Sequence, residues 1–252
     1  MLRNSSDITG YSIGATDGPI GHVSDFLFDD ATWRVRWLVV STGWLTGHKV
    51  LVPPSVLNHF SPIGHQFAAR LTIQQVKDSP GIDADKPVSR EMEGHLYDYY
   101  GWSPYWNSDV FLGGYGNINA MSEEAAIQAR PRDEATPYGR RYRAQSHLRS
   151  IAAVTGYHIH ATDGEIGHVD DFLVEDEDWS IHYLIVDTKN WWPGKRVLIS
   201  PRSARMIDWA DRQVDLNVSR EIVKASPEYD PLSLPDRSFQ TRYTAYYRGL
   251  GA

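Results

Sequence analysis

A chain of 252 residues, 41% hydrophobic and 23% charged, has the balance of a globular protein of one large or two ordinary domains. It contains no cysteine, which excludes disulfide frameworks, cysteine-ligated zinc, iron–sulfur clusters and thiol nucleophiles together. Its formal charge of −7 disfavours wholesale binding to a phosphate backbone, and no apolar stretch approaches the roughly 18 residues of a membrane span.

From the amino end, Met1 to Asp7 shows no apolar run behind its basic residue, so no leader segment is expected. The next hundred residues read as short strands. Asp17-Gly18 separates two apolar runs, and glycine there supplies the positive φ of a tight hairpin turn. Val35-x-Trp37-x-Val39 alternates with period two, which predicts one buried strand face with Arg34 and Arg36 on the other. Thr72-Ile73-Gln74-Gln75 has the spacing of a capping box ahead of a short helix that stops before Pro80. An unusually aromatic segment follows, from Tyr97 through Tyr99, Tyr100, Trp102, Tyr105 and Trp106.

Residues 107–147 lose the strand periodicity and carry Gly113-Gly114, Gly116, Pro131, Pro137 and Gly139, with one short helix expected at 122–129. This reads as a flexible linker. At Leu148 the opening pattern begins again. An offset of 146 aligns residues 2–40 with 148–186 at 21 identities, including Asp163-Gly164 for Asp17-Gly18 and Asp171 for Asp25. One inserted residue later the register continues, with Ser219 at the helix-cap position of Thr72 and Tyr246-Tyr247 at that of Tyr99-Tyr100. The expected organisation is a first module over 1–106, a linker over 107–147 and a second module over 148–252, each module folding separately.

Gly10-Tyr11, Asp17-Gly18-x-Ile20-Gly21-x-Val23-x-Asp25-Phe26-Leu27, Arg36-Trp37-Leu38-Val39-Val40 and Val50-Leu51-Val52-Pro53-Pro54 together resemble the PRC-barrel family, and the resemblance extends over most of both copies. It implies a mainly β chain of two small PRC-type β-barrels, each followed by a short helix. Relatives of this kind form the cytoplasmic domain of the photosynthetic reaction-centre H subunit and the carboxy-terminal domain of a ribosome maturation factor, both in docking roles. By that resemblance the chain is expected to be a cytoplasmic, non-enzymatic docking or scaffolding protein. Its partner is another protein; nucleic acid and membrane insertion are not expected, and self-association into a homo-oligomer stays open. The alternative it implies is an accessory protein of an electron-transfer or quinone-linked complex that binds a small molecule.

The residues themselves offer few chemical constellations. Gly10-x-Ser12-x-Gly14 spells a nucleophile elbow, but a hairpin turn and strand follow it, and the second copy has His158 in place of Ser12. His22 with Asp25, and His168 with Asp171, point to opposite faces of a regular strand, so the aspartates are read as caps for backbone groups at a bulge or turn. His158-x-His160 shares a strand face but has no evident co-ligands for zinc. The run Glu175 to Asp178 lacks the alternation of a calcium loop and reads as a solvated hairpin loop. Neither a metal, a cofactor nor a catalytic residue is expected. The aromatic segment is the exception: rings of this size bury roughly 150–250 Å² each. Tyr99, Tyr100, Trp102, Tyr105 and Trp106 are therefore the candidate module seam or partner site, beside the structural turn residues Asp17, Gly18, Asp25, Asp163, Gly164 and Asp171.

Overall fold

A computed structural model describes residues 1–43, 48–61, 64–81, 88–105, 148–188, 195–208, 210–226, 229 and 237–248. The linker and its short helix lie outside the described residues. In the first copy β1 (Leu2–Asn4) and α1 (Ser5–Ile8) lead into β2 (Ser12–Ala15), β3 (Gly18–Asp29), β4 (Arg34–Thr42), β5 (Lys49–Val52), β6 (Leu57–Ser61) and β7 (Gln66–Ala69). Helices α2 (Ile73–Lys77) and α3 (Arg90–Tyr100) complete it. The second copy repeats the order as β8 (Leu148–Ser150), α4 (Ile151–Val154), β9 (His158–Ala161), β10 (Gly164–Glu175), β11 (Ile181–Asp187), β12 (Arg196–Ile199), β13 (Ala204–Asp208), β14 (Gln213–Leu216), α5 (Arg220–Ala225) and α6 (Arg237–Arg248).

The chain is mainly β. Its two sheets run β5-β4-β3-β2-β7-β6 and β12-β11-β10-β9-β14-β13, and each takes a seventh strand off this path. Among the described residues only β2–β7 and β9–β14 pair in parallel, which brings each sheet round into a small barrel. The expected turns are present. Gly18 has φ 149° and Gly164 φ 137°, and a Cβ on Gly18 would stand 2.9 Å from the Ile73 side chain. Asp17 Oδ1 accepts the Ile73 N–H and Asp163 Oδ1 the Arg220 N–H, both at 2.8 Å, so each turn also holds the start of a helix. The Thr72–Gln75 capping box forms, and Ser219 caps α5.

Each of the two barrel-like sheets takes one strand from the other copy. Strands β3 and β10 have twelve residues each, whereas β2 and β9, their hairpin partners, have four. The far half of each long strand would present unpaired N–H and C=O groups. The other copy covers them: β8 pairs with β3 through Leu27↔Ser150 to Asp29↔Leu148, and β1 pairs with β10 through Leu2↔Glu175 to Asn4↔Leu173. One continuous core accordingly draws buried side chains from both copies, with a smaller cluster on the outer face of each sheet.

The period-two reading of β4 also needs correction. In the β3–β4 register Phe28 faces Val35 and Leu27 faces Trp37, so Arg36 is an extra residue. This bulge reverses the parity: Val35, Leu38 and Val40 enter the shared core, while Trp37 and Val39 turn to the other face. That face is no solvent surface either, because α3 lies over it. The second copy repeats the device at His182, which separates core Ile181 from outward Tyr183.

Candidate functional site

The geometry of the seam starts from one pairing. Arg34 and Ser180 occupy the same position in the two copies and bridge each other in antiparallel fashion. Flanking bonds are equivalent: Val35 N–H to Trp179 O at 2.9 Å, and Ile181 N–H to Trp33 O at 2.7 Å. A local pseudo-two-fold axis therefore passes between Arg34 and Ser180. Trp33 and Trp179 beside it have φ 54° and 60°, a left-handed conformation uncommon for a bulky residue. The Trp179 ring enters the first copy, 6.2 Å from Phe26 and 5.7 Å from Phe67. The acidic run Glu175 to Asp178 reads as a solvated loop, yet the tryptophan beside it enters the seam; the recurrence of Trp33 as Trp179 at one repeat position is the signal for it.

The strand arms are fixed by charge. Asp25 follows a bulge at Ser24 and accepts Ser150 Oγ–H at 2.5 Å and Ala152 N–H at 3.0 Å, from the other copy's arm. Asp171 accepts the Ser5 hydroxyl and, at 2.5 Å, that of Ser6. Arg149 to Asp30 at 2.5 Å and Arg3 to Asp176 at 2.7 Å are likewise equivalents. Asp25 and Asp171 do cap backbone groups at a bulge, the Phe26 and Phe172 N–H at 2.7 Å, and each also takes groups from the opposite copy.

The aromatic segment is divided by the fold. Ser89 caps α3, whose start carries Glu91 and Glu93, and Gly101 ends it at φ 68°. Trp37 is fully buried beneath this helix and donates Nε1–H to Glu93 Oε1 at 2.8 Å. Tyr105 returns over the same carboxylate: its hydroxyl accepts from Arg90 at 2.6 Å and donates to Glu93 at 3.3 Å. The Arg36 guanidinium stacks 3.8 Å above the Tyr105 ring. Burial outweighs the Trp37, Arg90 and Tyr105 contacts and lifts the Glu93 carboxyl to about 6. Burial, with Glu93 adding to it, pushes the Tyr105 phenol upward. Tyr100 and Trp102 stack at 4.1 Å, half-buried. Tyr99 is more exposed and donates to Gln75 O at 3.0 Å, as Tyr246 does to the equivalent Ile222 O at 2.8 Å. Trp106 lies outside the described residues.

Between this segment and the second copy's hairpin lies a cleft of about 650 Å³, walled by Tyr100, Trp102, Tyr105 and Trp179 and edged by Arg34, Arg36, Arg70 and Asp178. That volume suits a ligand group or a peptide side-chain cluster. A second cleft of about 760 Å³ occupies the equivalent place across the axis, with Trp33, Ser180, His182, Arg202, Arg205 and Tyr243 on its walls.

The remaining sequence candidates stay apart. Ser12 sits on a strand and donates to the His65 carbonyl oxygen at 3.3 Å. His158 meets Glu165 at 3.0 Å on an exposed surface. Among the described residues no three His, Asp or Glu side chains converge as a metal site, and no helix is long and apolar enough to cross a membrane. Residues 3–67 match the family model of the PRC-barrel domain, and no curated protein matches the chain.

Proposed function

With residues 3–67 a PRC-barrel domain and a second barrel-like sheet built to the same order, we propose that the chain is a non-enzymatic docking protein of the cytoplasm. It presents its tandem modules, as one body, to a protein partner. The observation that carries this reading is the first cleft, where five aromatic side chains, Tyr97 among them, and three arginines meet at the seam. Aromatic residues and arginine are the residue types that dominate recognition surfaces. One carboxylate, Asp178, lines it and pairs loosely with Arg34, whereas Asp29 is paired with Arg36 and Glu93 is held by Trp37 and Tyr105. No cofactor or nucleic acid is invoked.

Affinity capture on the immobilised full chain from its native host, followed by mass measurement of what elutes, tests the proposal. A protein recovered in fixed stoichiometry, and lost when Trp102 is replaced by Ala, is the expected result. Elution of a small molecule with no protein would refute docking and favour an accessory role in an electron-transfer complex.

A further inference from the structure

The docking reading leaves the chemistry of the partner open, and the walls of the first cleft narrow it. Three arginine side chains edge it against one carboxylate, Asp178, on a chain whose formal charge is −7. A local excess of guanidinium on an acidic protein is a charge pattern that the fold does not require. At the equivalent positions across the axis stand Ser180 for Arg34, His182 for Arg36 and Asn217 for Arg70. The sheet is built equally well with either set.

The three arginines differ in what holds them. Arg36 is spent on structure, ion-paired with Asp29 at 3.4 Å and stacked on Tyr105. Arg34 touches Asp178 at 3.2 Å, with both side chains about half exposed. Such an exposed pair is weak, so an incoming carboxylate can replace Asp178 at small cost. Arg70 gives one N–H to Ser55 O at 2.6 Å, and among the described residues no carboxylate lies within ion-pairing distance of it. Its planar fork retains donors for a bidentate carboxylate contact. Beside these two charges the stacked Tyr100–Trp102 pair offers a flat apolar wall, and Trp179 closes the far side.

From this we infer that the first cleft binds an acidic peptide segment of the protein partner, its carboxylates on Arg34 and Arg70 and an apolar or aromatic side chain against Tyr100 and Trp102. The inference rests on the docking reading and specifies its ligand class. The geometry also predicts selectivity between the two clefts. The second cleft has cations of its own in Arg202 and Arg205, but Gly249 and Ala252 stand in the sequence where the first copy has Trp102 and Tyr105.

The test uses the full chain and fluorescein-labelled peptides of about five residues, in which a central tryptophan is flanked by glutamates, by lysines, or is replaced by glycine among glutamates. Fluorescence anisotropy should show binding of the glutamate–tryptophan peptide that weakens as salt rises. The expected order is at least tenfold weaker binding of both other peptides. Arg34→Glu with Arg70→Glu should abolish binding, whereas Arg202→Glu should leave it unchanged, with thermal unfolding confirming that all variants are folded. Equal binding of the lysine peptide, no binding of any peptide, or undiminished binding by the Arg34/Arg70 double variant would overturn the inference. Affinity capture separates the two levels: a partner retained by that double variant removes the cleft assignment and spares docking, whereas no partner with the unaltered chain removes docking itself.

Discussion

The two clefts are made by the same fold, at equivalent places on either side of one axis, yet they have different walls. Both abut the seam and both are bordered by a tryptophan in a left-handed turn. What differs is the residue at each bulge and at the end of the small barrel: Arg36 against His182, Arg70 against Asn217. Several positions that hold the copies together keep their identity, as in Asp25 and Asp171, Trp33 and Trp179, or Arg3 and Arg149. A duplicated frame therefore separates the residues that make the body from those free to give its two sides different chemistry.

The comparison can be broken most forcefully at the tryptophans. Trp179 is buried and Trp33 half-buried, so Trp179→Ala should cost about 3–5 kcal/mol in urea unfolding and Trp33→Ala clearly less. Equal costs would mean that the two halves of the seam are energetically alike. Next in size are the arm caps. Asp171→Ala should cost about 2–3 kcal/mol, more than Asp25→Ala, because Asp171 is buried and Asp25 half-buried. Either change should expose both arms to hydrogen exchange if the copies unfold together.

Glu93 sharpens the contrast through pH, since the second copy has Gln240 at its position. Its folded value of about 6 stands above the ordinary 4.5, so between these limits the folded chain binds the extra proton. Stability attributable to this group is present below pH 4.5 and lost as pH rises through 6, a change of about 2 kcal/mol. Glu93→Gln should flatten that segment of the pH–stability curve, and Gln240→Glu should create a slope only if burial on the second side matches the first. The smallest expected effect comes from Tyr99→Phe and Tyr246→Phe. Each removes one hydrogen bond to a helix carbonyl and should shift stability by about 0.5–1 kcal/mol.

Much of this frame was legible in the chain. Asp17-Gly18 and Asp163-Gly164 announce their turns because few other residue pairs supply that backbone, and Thr72 with Gln75 announces a helix start by local bonding alone. What depends on distant partners was not legible. The arms at Leu2 and Leu148 show in the sequence only as a repeated Leu-Arg, and nothing local says that each pairs with the opposite copy. The bulges at Arg36 and His182 reverse strand parity through a mismatch between two strands, which a single-strand pattern cannot reveal. Helix α3 escaped for a related reason: its buried face is built from Leu96 and Tyr97 around a buried carboxylate, Glu93, rather than from a regular apolar stripe. Of the aromatic segment, the sequence marked the residues, whereas only the fold divides them between packing on Trp37 and walling the cleft.

The exchange of arms also sets an order of events as the chain is made. Leu2 meets Glu175 and Leu27 meets Ser150, pairs far apart along the chain. When the first hundred residues have left the ribosome, β3 still lacks its last neighbour and β1 has no strand to join. Contacts this remote close late and slowly, since a long loop must be ordered before they form. The first half must therefore wait with an open edge until residue 150 arrives, and the finished protein should then fold and unfold in one transition rather than two.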